Sequence, residues 1–315
     1  MKINEENLKK LDKEVSLIPL TYDFSFKSVF NKNLELLKEF LIDVLHLEYQ
    51  REELDIRILN NELPKEIYSE YQKRIDVNIV LNDDIYVEIE INKENFELVK
   101  YRNKMYADKL YSMLLESGEN ARKLEYIRFY QLNLNTENKS EKVGEHIIVP
   151  YDISTDSVYI SNEQTILKYL EFYYRLYYNE PKKRTRDVIW LASLNAKSFT
   201  ELYQILKGVL ANKELTKFLK DVINMSLEDF NLHEWQREKL DDLVAYNREQ
   251  YAIKTGMAKG IEQGIEQGIK QNTIDTIKEL LKNNIEIDII SKVTKKSIDE
   301  IKNIEESIKE DIRLI

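Results

Sequence analysis

Hydrophobic and polar residues alternate most regularly over residues 74–92, on both sides of the polar triplet Asn82-Asp83-Asp84. Alternation with a period of two is typical of a β-strand, and two such runs joined by a short polar triplet predict a β-hairpin. One face of this hairpin is apolar and holds Ile75, Val77, Ile79, Leu81, Ile85, Val87, Ile89 and Ile91. The opposite face is polar and holds Asp76, Asn78, Glu88 and Glu90.

The strand register decides which polar side chains are neighbours. Both apolar faces point the same way when paired residue numbers have an even sum, and a loop formed by the polar triplet satisfies this condition. Leu81 then lies opposite Ile85, and Asp76 lies opposite Glu90. Glu88 sits diagonally from Asp76, at about 7–8 Å along the backbone. Carboxylates this close repel one another unless a cation or protons neutralise them.

The hairpin therefore predicts a divalent-metal site with Asp76 and Glu88 as ligands. In such a site the metal lowers the pKa of a bound water and neutralises charge on a phosphate. Glu90 would orient that water or act as its base. An exposed sheet face with ordinary acidic residues is the alternative that the pattern leaves open.

Elsewhere the spacing of apolar residues predicts helices and strands in alternation. Helices are expected at 33–46 and 96–116, and strands at 54–60, 124–134 and 146–153. Interleaved strands and helices predict an α/β core built in layers. From residue 162 to 251 apolar positions recur every three or four residues, which predicts helices. The expected domains are an α/β core (1–160), an all-helical region (161–255) and a helical tail (256–315).

Composition narrows the chemistry of the predicted metal site. The 315 residues include no cysteine and three scattered histidines, which excludes disulfides and thiolate sites and argues against zinc. Oxygen ligands remain, and they suit Mg²⁺, with Mn²⁺ or Ca²⁺ as alternatives. No apolar run approaches the roughly 18 residues of a membrane span, and the charged N-terminus lacks a secretory apolar region. We therefore expect a soluble, cytoplasmic protein without a membrane partner.

Charge restricts how the chain can contact nucleic acid. The formal net charge of −10 argues against binding through the whole surface, so any contact must use local basic patches. The helix after the hairpin offers Lys100, Arg102 and Lys104 among tyrosines, a combination that suits a phosphodiester backbone. The alternative is an amphipathic helix whose lysines lie in water.

The tail contains the one repeat of the chain. Gly256, Gly260, Gly264 and Gly268 are spaced by four, and in a helix each costs about 0.8–1 kcal/mol relative to alanine. Such a helix persists if its smooth stripe packs closely on a partner helix, which predicts a homo-oligomer formed through the tail. A hinge between domain and tail is the alternative. Three short helices are expected at 273–282, 288–293 and 297–304.

The order of these motifs matches a known family. Tyr22-Asp23-Phe24-Ser25-Phe26-Lys27 comes first, followed by Asp76, Glu88-Ile89-Glu90, Tyr101-Arg102 through Tyr111, and late Gly-Ile-Glu-Gln repeats. Over nearly its whole length the chain resembles the recombination-promoting nucleases of the Rpn type, also known as PD-(D/E)XK nuclease family transposases. The resemblance implies a restriction-endonuclease-like α/β fold, a mixed sheet flanked by helices, and Mg²⁺-dependent cleavage of DNA.

The resemblance also gives the acidic residues implied roles. Asp76 corresponds to the aspartate of the family motif and Glu88 to its first acidic residue, and both are implied metal ligands. Glu90 stands where the superfamily has lysine and this family usually has glutamine. A carboxylate at this position can bind metal, but it cannot supply the cation of a lysine. The sequence thus predicts a metal-dependent DNA endonuclease. The alternative is a catalytically weak or inactive nuclease-fold protein that acts as a DNA-binding or oligomeric assembly module.

Overall fold

The computed structural model describes residues 2–59, 77–93, 96–114, 121–136 and 142–313. The chain divides into two compact units, Met1–Gln236 and Arg237–Ile315. No helix in these described ranges is both long and apolar enough to cross a membrane. The division expected at residues 160 and 255 stays a prediction.

The first unit is built on a mixed β-sheet. The strands of the described chain are β1 (Ile56–Leu59), β2 (Val77–Leu81), β3 (Ile85–Asn92), β4 (Arg128–Asn135), β5 (Glu145–Ile148), β6 (Tyr151–Asp152), β7 (Ser157–Val158) and β8 (Glu163–Tyr169). Six of them form one sheet in the order β1-β2-β3-β4-β8-β5, and β6 pairs with β7 in a separate ribbon. Neighbouring strands are parallel in the β3–β4 and β4–β8 pairs and antiparallel in the others.

The β2–β3 hairpin has the register that the alternation predicts. Leu81 lies opposite Ile85, and Asn78 lies opposite Glu88. The loop between them places Asn82 and Asp83 at φ values of 50° and 62°. Asparagine and aspartate tolerate this left-handed conformation better than most residues, which explains why the polar triplet forms the turn. Residues 74–76, including Asp76, lie outside the described residues.

Helices surround and follow the sheet. They are α1 (Glu5–Leu11), α2 (Asp23–Phe30), α3 (Leu34–Leu45), α4 (Phe96–Met113), α5 (Leu170–Asn179), α6 (Arg186–Leu194), α7 (Phe199–Leu206), α8 (Asn212–Leu227), α9 (Asp229–Lys282), α10 (Ile287–Thr294) and α11 (Ile298–Arg313). The predicted helices at 33–46 and 96–116 correspond to α3 and α4. The expected separate helix at 273–282 is instead the end of α9.

The main core lies on the apolar face of the sheet. Ile79 and Val87 of the hairpin belong to the same buried cluster as the inward faces of α2, α3 and α5 to α8. At its centre the fully buried Phe40 ring lies 5.5 Å from the Phe30 ring and 5.9 Å from the Trp190 ring, measured between centroids. The helices after residue 170 therefore complete the core of the sheet.

One strand contradicts the sequence prediction. The stretch from residue 162 was expected to be helical, but Glu163–Tyr169 forms β8 between β4 and β5. Ile166, Leu167 and Tyr169 are all buried, in a strand that lies in the interior of the sheet, parallel to β4 and antiparallel to β5. Such a strand shows a short apolar run instead of alternation, and periodicity cannot distinguish that run from a buried helix.

The expected edge strand at 146–153 is also shorter than predicted. β5 ends at Ile148, and Tyr151–Asp152 pairs with Ser157–Val158 in the separate ribbon. Pro150 lies between the two segments and has no N–H group to donate, so it interrupts the ladder.

Candidate active site

The polar side chains of β3 lie inside the protein. Glu88 is 1% exposed and Glu90 is 5% exposed. β3 is an interior strand, and α4 covers this face of the sheet through its buried residues Asn103 and Ala107. The alternative interpretation, an exposed sheet face with ordinary acidic residues, is therefore wrong for Glu88 and Glu90. A buried carboxylate costs several kcal/mol unless hydrogen bonds, protons or a cation compensate it, so this layer is chemically unusual.

Gln131 of β4 contacts Glu88 directly. The β3–β4 register places it beside Glu88, and its Nε2 donates to Glu88 Oε2 at 3.0 Å. The same nitrogen donates to the backbone carbonyl of Asn103 at 2.6 Å. Thr165 of β8 donates to Gln131 Oε1 at 3.4 Å. One buried amide thus connects an acidic strand, a neighbouring strand and the covering helix.

Four buried asparagines continue the polar layer towards the carboxyl ends of β3 and β4. Asn103 Nδ2 donates to Asn133 Oδ1 at 2.7 Å and to Asn92 Oδ1 at 3.0 Å. Asn92 Nδ2 donates to Asn133 Oδ1 at 3.2 Å and to Asn135 Oδ1 at 3.1 Å. None of the four is more than 2% exposed. Hydrogen bonds of this kind fix α4 to the sheet at one position, because few other registers would satisfy so many buried amides.

The donor set of this layer fits a cation that prefers oxygen. Glu88 and Glu90 supply carboxylate oxygens, the Gln131 amide donates to Glu88 and to the Asn103 carbonyl, and the sequence contains no cysteine. Among the residues that the structure describes, no group of three histidine, cysteine, aspartate or glutamate side chains is close enough to hold a metal ion. The third predicted carboxylate, Asp76, lies outside those residues, so the complete ligand set stays a prediction.

The predicted DNA-contacting residues lie on the covering helix α4. Lys100 Nζ lies 5.4 Å from the centre of the Tyr101 ring, which is itself 78% exposed at the side chain. Arg102 Nε donates to Asn103 Oδ1 at 3.3 Å. Lys104 Nζ donates to Glu163 Oε1 at 3.0 Å and also pairs with Asp108. Lys104 would have to leave two carboxylates to contact a phosphate.

The three basic residues do not share one face. Lys100 and Lys104 are one helical turn apart, whereas Arg102 is rotated by about 200° from each of them. Arg102 contacts the asparagine layer through Asn103.

Sequence reasoning missed Gln131 and the asparagines, although a signal was present. In Arg128–Asn135 the polar residues Gln131, Asn133 and Asn135 alternate with Leu132 and Leu134, as Glu88 and Glu90 alternate with Ile89. Two strands that each alternate polar and apolar residues form a shared polar face when their polar positions are paired. The pairing partner was unknown from the sequence.

These features define a class of protein. An acidic pair on an interior strand, a helical crossover and a parallel neighbouring strand within a mixed sheet are consistent with the PD-(D/E)XK nuclease fold. The family model described as PD-(D/E)XK nuclease family transposase matches residues 20–250, so the chain belongs to that family. The resemblance seen in the sequence is confirmed. No curated protein and no solved structure gives a significant match.

Proposed function

We propose that the chain is a metal-dependent DNA endonuclease that hydrolyses phosphodiester bonds, with Mg²⁺ as its cofactor. Family membership supports a nuclease or transposase function in general. The single observation that carries the specific proposal is the burial of Glu88 and Glu90 on β3, inside a layer held by Gln131 and Asn103. Ionisable groups placed in such costly positions are typical of catalytic sites.

The residues would divide the work of hydrolysis as follows. Asp76 and Glu88 would hold the cation. A bound divalent ion supplies a water of lowered pKa and neutralises charge on the phosphate. Glu90 would orient the attacking water and accept its proton. Lys100, Arg102 and Lys104 would contact the DNA backbone.

Nicking of supercoiled plasmid tests this proposal directly. We expect nicking with Mg²⁺ or Mn²⁺ and none with EDTA, because the carboxylates alone cannot neutralise the phosphate. Asp76→Ala and Glu88→Ala should both abolish nicking. Glu48→Ala removes an exposed carboxylate outside the site and serves as the matched control. Nicking that survives in both site variants would refute the assignment.

Glu90 supports a second candidate function. Its carboxylate adds negative charge to a buried layer that already holds Glu88, and it cannot replace the lysine cation of the superfamily. A catalytically weak or inactive nuclease-fold protein would still bind DNA or act as an assembly module. This alternative predicts that the protein shifts DNA in a gel without cutting it, whichever divalent metal is supplied.

We also propose that the protein assembles with further copies of itself through α9. Gly256, Gly260, Gly264 and Gly268 form a row along α9, called the glycine row below. Beside it lies a second row of apolar residues that are between 46% and 67% exposed: Ile253, Met257, Ile261, Ile265 and Ile269. Rows spaced by four residues are the ridges that interlock when two helices cross at about −50°. One helix thus offers both a groove formed by the glycines and a ridge formed by the large apolar side chains. The ridge of a second copy can therefore pack into the groove of the first.

A further inference from the structure

The amide of Gln131 has an orientation that chemistry determines. Its Nε2 faces two acceptors, the Glu88 carboxylate at 3.0 Å and the Asn103 carbonyl at 2.6 Å. If the amide were rotated by half a turn, its oxygen would face both of these acceptors, and both hydrogen bonds would become repulsions. The hydroxyl of Thr165, 3.4 Å from Oε1, can donate to that oxygen and is compatible with this orientation.

This fixed amide contacts only one oxygen of the Glu88 carboxylate. A carboxylate has two oxygens and about four lone-pair directions, so the bond at Oε2 restricts the plane of the group and uses one of these directions. Gln131 and Glu88 are each 1% exposed, which limits competition from water for this hydrogen bond. A charge-assisted hydrogen bond in such surroundings is stronger than one at the surface.

From these contacts we infer that Gln131 is a positioning residue for the metal ligand Glu88, and that it also fixes the covering helix α4 against the ligand. The inference rests on the proposed metal-dependent function. Hydrogen bonds from neighbouring residues to metal-binding carboxylates orient the ligand, and their loss typically costs about 10–100-fold in metal affinity or activity. The bond to the Asn103 carbonyl connects the same amide to the helix that carries Arg102.

The test compares Mn²⁺ binding to the whole protein without DNA, followed by electron paramagnetic resonance of the free ion. Gln131→Met keeps the length of the side chain and removes its donor, so we expect Mn²⁺ affinity to fall about 10–100-fold. The Mn²⁺ concentration that half-saturates nicking should rise by a similar factor. Gln164→Met is the matched control, because Gln164 lies on β8 and its amide donates to the Ser161 carbonyl at 3.3 Å, away from Glu88.

A second variant separates positioning from general damage to the fold. Thr165→Val is nearly isosteric and removes only the hydroxyl that donates to Gln131 Oε1, so we expect a smaller loss of Mn²⁺ affinity with an unchanged melting temperature. A merely structural role would lower the melting temperature and leave Mn²⁺ affinity unchanged in both variants, which would overturn the inference. Wild-type protein that binds no Mn²⁺ would overturn the proposed function as well. If the wild-type protein binds Mn²⁺ and nicks DNA, and both variants have the same Mn²⁺ affinity and nicking as the wild type, the positioning role alone is overturned.

Discussion

The glycine row of α9 allows a test in which helix stability and assembly change in opposite directions. The perturbation is the double substitution Gly260→Ala and Gly264→Ala. In the part of the chain that the structure describes, a Cβ at either position meets no atom within 4 Å. Within one protomer the added methyl groups therefore cause no clash. Each substitution should stabilise the helix by about 0.8–1 kcal/mol, or about 2 kcal/mol for the pair.

Assembly through the same row should respond in the opposite way. In a pair of identical helices each substitution occurs in both copies, so the methyl groups of both protomers enter the contact. Overfilling a close-packed contact costs typically about 1–3 kcal/mol. Because about 1.4 kcal/mol corresponds to a tenfold change in affinity, the dissociation constant of the assembly should rise at least about tenfold.

Sedimentation velocity over a range of protein concentrations measures the assembly, and circular dichroism measures helix content in the same samples. Glu266→Ala, on the opposite side of α9, is the control and should change neither quantity appreciably. A double variant that assembles as well as the wild-type protein, or better, would refute close packing at the glycines. A wild-type protein that is monomeric at every concentration would refute assembly altogether.

Two further predictions concern stability and local electrostatics. Phe40→Ala should lower the free energy of unfolding of the first unit, measured by urea denaturation, by about 3–5 kcal/mol. The control Phe230→Ala, at a residue that is 72% exposed, should change this free energy by less than about 0.5 kcal/mol. The pKa of Glu300 is lowered from 4.5 to about 2 by hydrogen bonds from Lys296 and from the backbone and side chain of Ser297. The stabilisation of α11 by ionised Glu300 is complete above the ordinary pKa of 4.5 and is lost as the pH falls through about 2. An NMR titration of Glu300 should show this low midpoint, and the midpoint should rise in Ser297→Ala. A midpoint near 4.5 in the wild-type protein would contradict the prediction.

Local sequence was sufficient for elements whose own residues fix their geometry. The pairing of Leu81 with Ile85 followed from alternation and loop length, because a slip by one residue would turn the whole apolar set towards the wrong face. The start of α11 followed from the Ser297–Glu300 capping box, in which the Ser297 hydroxyl accepts from the Glu300 N–H at 3.2 Å.

Elements that depend on distant partners were not predictable in the same way. β8 is stabilised by β4 on one side and β5 on the other, so its conformation reflects neighbours that come earlier in the chain. Similarly, Gln131 acquires its role only because parallel pairing places it beside Glu88. Neither its own segment nor the hairpin contains that information, since the two strands are separated in the chain by α4 and their register exists only once they pair.

Residue type and spacing were sufficient to predict the register of the β2–β3 hairpin, the polar face that carries Glu88 and Glu90, and the glycine row of the tail. These follow from residue type and spacing, which act over a few residues of chain. The burial of Glu88 and Glu90, the position of α4 over them, and the hydrogen bonds from Gln131 to Glu88 and Asn103 are apparent only in the folded chain. The physical reason is that burial and buried hydrogen bonds depend on which segments meet. Here Gln131, which donates to Glu88, lies 43 residues further along the chain, and Asn103, whose carbonyl accepts from Gln131, lies 15 residues after Glu88.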